Sequence, residues 1–526
     1  HPESFILVLS MNTQAADPLS DLPDGLAGYA NELAAAQKRL GAPASDLAIL
    51  LDLIVNRSIT RDQICDLLQR SWTHLQALRE ALDDLCHPST ENTALARALT
   101  EASAVVRSGE EFSLAKADHF LSEAAGHLVD ASDSTTTQAM LAEARARLSY
   151  VMQDYRQAAD HYAAAAALSD DNDALKWRHQ SRHALALCDL GRESLDDNAL
   201  LAAIEQYEAT AAELTDEARD PEKWAKTQAD LGDALGILGQ RQRGTHQLEQ
   251  SIASYRQALK VQSLERSPAD WAATQNGLGN ALGILAHRQK DVEMLEQSLQ
   301  AFEQALTVRT QKQHPWDWAT TQNNLGSVLQ ALGQQKNDPQ LLKRAVETYQ
   351  RVLLAWTRDR APLHWATVFN NLGTALRLLG EKRKGPRTLQ QAVAAYRNAL
   401  AERTRERVPQ QWAMTQNNLG TALQKLGERS EGIQPFKDAI SAYQSALKEW
   451  TQERSPMTWA MTAANLALAQ KSLAERLGDP GTAGLALSQL EAVAKVFRDA
   501  SHAQYYGHAT EQIAKTRELL EALRGS

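Results

Sequence analysis

The chain has 526 residues, 23% charged and 6% aromatic, with a formal net charge of −10. Ala and Leu dominate its apolar residues, a usage that favours an all-helical protein over a sheet protein. No apolar run approaches the roughly 18 residues of a membrane span, and no part has the basic excess of a general nucleic-acid binder.

The charge is uneven. Residues 1–130 hold 19 acidic and 9 basic side chains, so the remainder is balanced. Cys65, Cys86 and Cys188 lie far apart and form no C-x-x-C pair, which fits buried or incidental thiols in a reducing compartment.

In chain order, the sequence starts at His1 with "HPESFILVLSMNTQ". The apolar run Phe5–Leu9 is shorter than a secretion signal core and follows no Lys or Arg. Residues 1–20 therefore read as a disordered or non-native terminus. Met11 offers a natural start, and the end of a longer polypeptide is the other reading. A cytoplasmic location is expected. Residues 21–90 read as an acidic N-terminal helical module, with amphipathic helices over 26–86. Residues 91–220 read as degenerate helical repeats of a unit that becomes explicit downstream.

That unit occupies 221–505. Trp177, Trp224, Trp271, Trp318, Trp365, Trp412 and Trp459 are spaced by 47 residues, and one more step reaches Tyr506. Pro221, Pro268, Pro315, Pro362, Pro409 and Pro456 each precede a Trp by three. Tyr255, Phe302, Tyr349, Tyr396 and Tyr443 mark a later point of each unit. A fixed period of this size marks a solenoid of stacked supersecondary units. In the unit from Pro268, the proline suits a first helical turn. Trp271, Leu278, Leu282 and Leu285 then form one buried stripe, with Gly279 leaving room for a neighbour. Gly239, Gly333, Gly380 and Gly427 suit left-handed C-caps of sister helices, giving first helices of about 17 residues, roughly 25 Å. A second helix carries Leu295, Leu299, Phe302, Ala305 and Leu306. Residues 506–526 read as a C-terminal capping helix.

Leu325–Gly326 in a first helix, then Ala345, Tyr349 and Val352 in a second, resemble the small-and-large pattern of tetratricopeptide repeats. The long unit and the "NNLG" phrase are most similar to the kinesin-light-chain type found in bacterial arrays. The segment "DYRQAADHYAAAAAL" at 154–168 resembles a second helix through Ala158, Tyr162 and Ala165, and 94–130 is a fainter match. The resemblance implies an all-α right-handed superhelix of helix-turn-helix units. It also implies a non-enzymatic interaction scaffold that holds a protein or peptide in its concave groove.

The paired amides Asn323–Asn324, Asn370–Asn371 and Asn417–Asn418 precede a recurring Leu, and Asn276 and Asn465 keep one member of the pair. By resemblance they face the groove, where a carboxamide can pair with the backbone of any extended peptide. Asn280, Ser327, Thr374 and Thr421, then Gln330, Arg377 and Gln424, vary between units and would supply selectivity. The competing reading has the amides bonding across to the next helix, since buried polar groups find protein partners. The Trp ladder reads as core. The family's carboxylate clamp for chaperone C-termini wants Lys at 323 and Asn at 327, where this chain has Asn and Ser, so that ligand is not carried over.

Chemistry-bearing motifs are missing. There is no phosphate-binding G-x-x-x-x-G-K-[ST] or G-x-G-x-x-G, and Gln180 after His179 breaks the H-E-x-x-H zinc pattern. His179 and His183 read as a solvated pair. No cofactor, metal or catalytic residue is expected. The run 381–407 holds eight bases and three acids. Its loop end, Lys382, Arg383, Lys384 and Arg387, is a candidate basic patch for nucleic acid or an acidic protein, against a solvated loop as the plainer reading. Two other functions stay open: the sensor or regulatory arm of a larger signalling or defence enzyme, and nucleic-acid binding through 381–407. A homodimer through the N-terminal helices is also open.

Overall fold

The computed structural model describes residue 50 and residues 61–86, 93–108, 113–129 and 135–525; every regular element among them is an α-helix. The Phe5–Leu9 run, Met11 and most of the expected helices before Arg61 lie outside the described residues. The chain divides into two compact units, one ending at Leu285 and one beginning at Ala286. Among the described residues no helix is long and apolar enough to cross a membrane.

The first unit starts with α1 (Arg61–Leu85), α2 (Thr93–Ser108), α3 (Ser113–Val129) and α4 (Thr135–Val151). Leu75, Leu78, Leu82, Leu95, Leu99, Leu121 and Leu148 form their common core. Then come α5 (Tyr155–Ala167), α6 (Asp173–Ser194), α7 (Asp197–Leu214), α8 (Pro221–Arg241), α9 (His246–Val261) and the start of α10 (Pro268–Gln289). The second unit continues with α11 (Val292–Val308), α12 (Pro315–Gln335), α13 (Pro339–Val352), α14 (Pro362–Lys382), α15 (Arg387–Leu400), α16 (Pro409–Gly427), α17 (Gln434–Ala446), α18 (Pro456–Leu477), α19 (Pro480–Asp499) and α20 (Ala503–Gly525).

In the second unit successive helices from α11 to α20 pack on one another. The short loops make successive helices antiparallel neighbours. The even-numbered helices α12, α14, α16 and α18 also touch in succession and form a row. Each begins with a proline at its first position, where no N–H is required. The second helices bury their anchors: Phe302, Tyr349, Tyr396 and Tyr443 are at most 1% exposed, and Leu295, Leu342 and Leu389 match them. The Trp ladder splits. Trp318 is buried, whereas Trp365, Trp412 and Trp459 are only half-buried. Arg351, Arg358 and Arg405 lie over Trp318, Trp365 and Trp412 at 5.6–6.0 Å from the ring centres, a cation–π contact that tolerates a partly wet ring.

The glycines expected as left-handed caps do something else. α8, α12 and α14 run past Gly239, Gly333 and Gly380, and Gly427 is the last residue of α16. Among the described residues Gly478 is the only glycine with positive φ (68°), and it closes α18. A Cβ on Gly239, Gly333 or Gly427 would lie 2.8 Å from Leu248, Leu342 or Phe436. These positions need the missing side chain so that the next helix can approach, which also makes the first helices longer than 17 residues. Gly326, Gly373 and Gly420 do the same job under the rings of Tyr349, Tyr396 and Tyr443, 2.7–2.8 Å from a virtual Cβ.

An arginine from the following unit closes several helix ends. Arg241 donates to the Gly191 and Arg192 carbonyls. Arg429 donates to the carbonyls of Gly380, Glu381 and Arg383. Arg476 reaches those of Ser430, Glu431 and Gly427. The last carbonyls of a helix lack internal donors and carry partial negative charge. Arg429→Ala should therefore lower the second unit's unfolding free energy by about 1–2 kcal/mol, read by urea titration. No change would mean that water replaces the clasp without cost.

Candidate functional site

The paired asparagines lie on neighbouring members of the row, and their carboxamides bond to one another. Asn418 Nδ2 donates to Asn370 Oδ1 at 3.2 Å. Asn370 Nδ2 donates to Asn371 Oδ1 at 3.3 Å, and Asn371 Nδ2 to Asn323 Oδ1 at 3.2 Å. Asn323 Nδ2 approaches Asn324 Oδ1 at 3.5 Å, and Asn465 Nδ2 donates to Asn417 Oδ1 at 3.4 Å. Asn371, Asn418 and Asn465 thus each reach back to the preceding first helix. Asn370 is the most enclosed, 5% exposed, and Thr415 Oγ1 lies 3.3 Å from its Oδ1. Asn323, Asn324, Asn371, Asn417 and Asn418 are half-buried. The ladder bond uses one of the two hydrogens on each of the Asn371 and Asn418 Nδ2 atoms. Asn276 and Asn280 lie on α10 in the first unit, both half-buried.

The varying positions are anchored from behind. Ser327 Oγ and Thr374 Oγ1 lie 3.1 and 3.0 Å from the hydroxyls of Tyr349 and Tyr396. Tyr443 donates to Thr421 Oγ1 at 3.1 Å and approaches Gln424 Oε1 at 3.3 Å. Arg377 pairs with Glu381. Gln330 Oε1 is enclosed without a hydrogen-bond partner. Sequence reasoning passed over two residues of this face. Met414 and Met461 are 38% and 43% exposed. They stand where sister units have Thr320 and Thr367, so the change from Thr to Met at one repeat position was a visible signal.

The basic run divides. Arg397 faces Asp438, Arg405 faces Glu449 and Arg407 faces Glu402. Lys382 at the end of α14, Arg383 and Lys384 on the loop, and Arg387 at the start of α15 are all exposed. Arg383 reaches Thr388 Oγ1 at 3.4 Å.

In the first unit His179 is 1% exposed and is no solvated histidine. Its Nδ1 lies 3.0 Å from Ser169 Oγ and its Nε2 3.2 Å from Glu143 Oε2. The order Ser–His–Glu resembles a nucleophile relay, yet Ser169 is 4% exposed and its hydroxyl also donates to the Ala165 carbonyl. Glu143 further accepts from Arg147 at 2.7 Å and Arg178 at 2.6 Å, and Arg147 reaches the Ala77 carbonyl. Burial alone would raise the Glu143 carboxyl. The hydrogen bonds from His179 and Arg147, and the charges of Arg147 and Arg178, outweigh it and hold the group at about 2. The cluster ties α4, α6 and α1 together. Among the described residues no group of His, Cys, Asp and Glu is placed to hold a metal ion. Burial pushes the Cys188 thiol up to about 12, well away from a reactive thiolate.

A family profile described as tetratricopeptide repeat matches residues 318–355 and 412–449. No curated protein matches the sequence. Among solved structures, the apo form of RapI is 13% identical and aligns 82% of this chain with 98% of its own at a TM-score of 0.41. A Rap protein complexed with competence and sporulation factor is 14% identical, covering 82% and 99% at 0.36. The TPR2AB-domain:pHSP90 complex of yeast Sti1 is 18% identical, covering 56% and 99% at 0.20. The two profile matches each run from the first helix of a pair into the second, through the glycine that seats the tyrosine ring, and these two helix pairs of the second unit are tetratricopeptide repeats.

Proposed function

We propose that the chain is a non-enzymatic, cytoplasmic interaction scaffold whose second unit holds a partner peptide or domain on the face of α12, α14, α16 and α18. The observation that carries this reading is the exposure of Met414 and Met461 beside the carboxamide ladder. Flexible, polarizable methionines recur on surfaces that accept peptides. Asn323, Asn371 and Asn418 are half-buried on the same row, and an amide has two hydrogens, one of which would suit a backbone carbonyl of the partner. Gln330, Arg377 and Gln424 supply selectivity. The rival reading of nucleic-acid binding rests on the exposed loop Lys382–Arg387 and requires strongly salt-dependent retention.

The test is capture from lysate by the intact chain, beside a variant carrying Met414→Glu and Met461→Glu. Both residues are exposed, so the melting temperature should hold within a few degrees. A protein retained by the first and lost by the second supports the reading. Retention by both, or loss governed by salt alone, overturns it. The ladder separates binding from stability. Asn370→Ala leaves the Asn418 amide without its acceptor and should cost about 1–3 kcal/mol of unfolding free energy.

A further inference from the structure

Arg403 carries a charge that its surroundings do not balance. It lies in the connection between α15 and α16 and is 3% exposed. Its Nη1 donates to Thr415 Oγ1 at 3.0 Å and its Nη2 to Thr367 Oγ1 at 2.9 Å. Its Nε is buried without a partner. Among the described residues no carboxylate pairs with it, although Arg397, Arg405 and Arg407 of the same run each face one. Burial alone brings its pKa down to about 10. A buried cation without a counter-ion costs stability, and water no longer screens its field. The corresponding places of other units hold the neutral Gln262, Trp356 and Trp450, and Arg309, which reaches Thr321 Oγ1 at 3.1 Å as Arg403 reaches Thr415. The packing itself therefore does not demand a cation.

The guanidinium stands directly behind the row. Thr367 is half-buried on α14, and Met414, beside Thr415, is exposed on α16. Thr367 stands between the charge and the face, accepting from Arg403 and donating to the Leu363 carbonyl at 2.8 Å. The helix ends around it add to the same sign. α14, α16 and α18 have no acidic residue in their first turns, and Ala361, Val408 and Ser455 make no side-chain cap. Their positive N-terminal ends are uncompensated, whereas α12 carries Asp317. Thr415 Oγ1 bonds the Gln411 carbonyl at 2.9 Å and lies 3.3 Å from Asn370 Oδ1, the most buried rung of the ladder. An anion is the ligand that this arrangement lacks, and the methionines beside it call for an apolar neighbour.

We propose that the N-terminal half of the α14–α16–α18 face binds an extended internal segment of an acidic protein partner. An Asp or Glu carboxylate sits over Thr367, in the field of Arg403 behind it, and an adjacent aliphatic side chain lies against Met414 and Met461. The proposal rests on the interaction-scaffold reading and names the chemistry of its ligand.

The probe is a library of random peptides displayed on phage and selected on the intact chain. Enriched sequences are then synthesised with acetylated N-termini and amidated C-termini, so that only side-chain carboxylates remain. The expected consensus places Asp or Glu next to Leu, Ile or Met. Changing that acid to its amide should weaken binding to the unaltered chain by about tenfold or more, ~1.4 kcal/mol. On Arg403→Met the same change should matter less than about twofold, while Arg403→Lys keeps most of the acid dependence. The peptide-side change is read on the native protein, so the test survives if Arg403→Met fails to fold. Peptides that lose binding on the Met414→Glu, Met461→Glu variant but show no acid preference overturn the carboxylate and leave the scaffold reading standing. So do peptides whose acid dependence is unaltered in Arg403→Met. Peptides that bind only with a free C-terminus assign the anion to a chain end and overturn the internal segment. No enrichment, or binding unaffected by the methionine changes, overturns both readings.

Discussion

Replacing Glu143 with Gln will destabilise the first unit by about 3 kcal/mol, one of the two largest effects expected of single changes in this chain. The carboxylate is 5% exposed and accepts hydrogen bonds from Arg147, Arg178 and His179. An amide of the same shape keeps the packing, loses the charge and turns one acceptor into a donor facing a guanidinium group, Arg147 on one side or Arg178 beside His179 on the other. The dependence on pH has a definite sign. The folded carboxyl is held at about 2, below the free value near 4.5. A depressed acid contributes stability that is fully present above the free value and is lost as pH falls toward the folded one. The difference corresponds to ~3 kcal/mol, lost between about pH 4.5 and pH 2. Urea titrations across this range should show the native chain weakening and the Gln variant weakening less. Equal acid slopes for the two would show that Glu143 is not the group responsible.

The second large effect is at Gly373. Alanine normally improves a helix by about 1 kcal/mol over glycine. Here the new Cβ would lie 2.8 Å from Tyr396 Cε1 and 2.9 Å from Cδ1. Tyr396 is fully buried, so its ring has nowhere to go. Overpacking of this kind costs about 1–3 kcal/mol net of what relaxes. Gly373→Ala should therefore lower stability by about 2 kcal/mol, and Gly373→Val by more. Gly385, in an exposed loop with nothing near a virtual Cβ, is the control. Gly385→Ala should change stability by less than about 0.5 kcal/mol. Calorimetry on the three variants decides it, and a stabilising Gly373→Ala would contradict the packing described.

The prolines and the Tyr/Phe anchors were legible in the sequence, because each has one strong local meaning. Pro362 and Pro409 start helices, and Tyr396 and Tyr443 are core. Gly380 and Gly427 were not legible. A glycine near a helix end serves equally as a left-handed cap or as a seat for another helix, and only Leu389 and Phe436 in place decide. His179 was misread as solvated because its acid, Glu143, lies 36 residues away. Arg403 was hidden by its company, since a charge run reads as solvated and burial is a property of the fold. The asparagines kept both readings open, for the ladder between Asn323, Asn371, Asn370 and Asn418 needs the row of first helices to exist.

The central claim is that a partner lies against the first helices of the second unit. It is tested most directly by placing a photo-crosslinking amino acid at single exposed positions of the intact chain in its source cells. Ser327, Met414 and Met461 report on the row; Gln391 and Asn398 on α15 report on the second helices. The account predicts one common protein adduct from Ser327, Met414 and Met461, and none of that mass from Gln391 or Asn398. An adduct formed from α15 alone, with the three row positions silent, would contradict it.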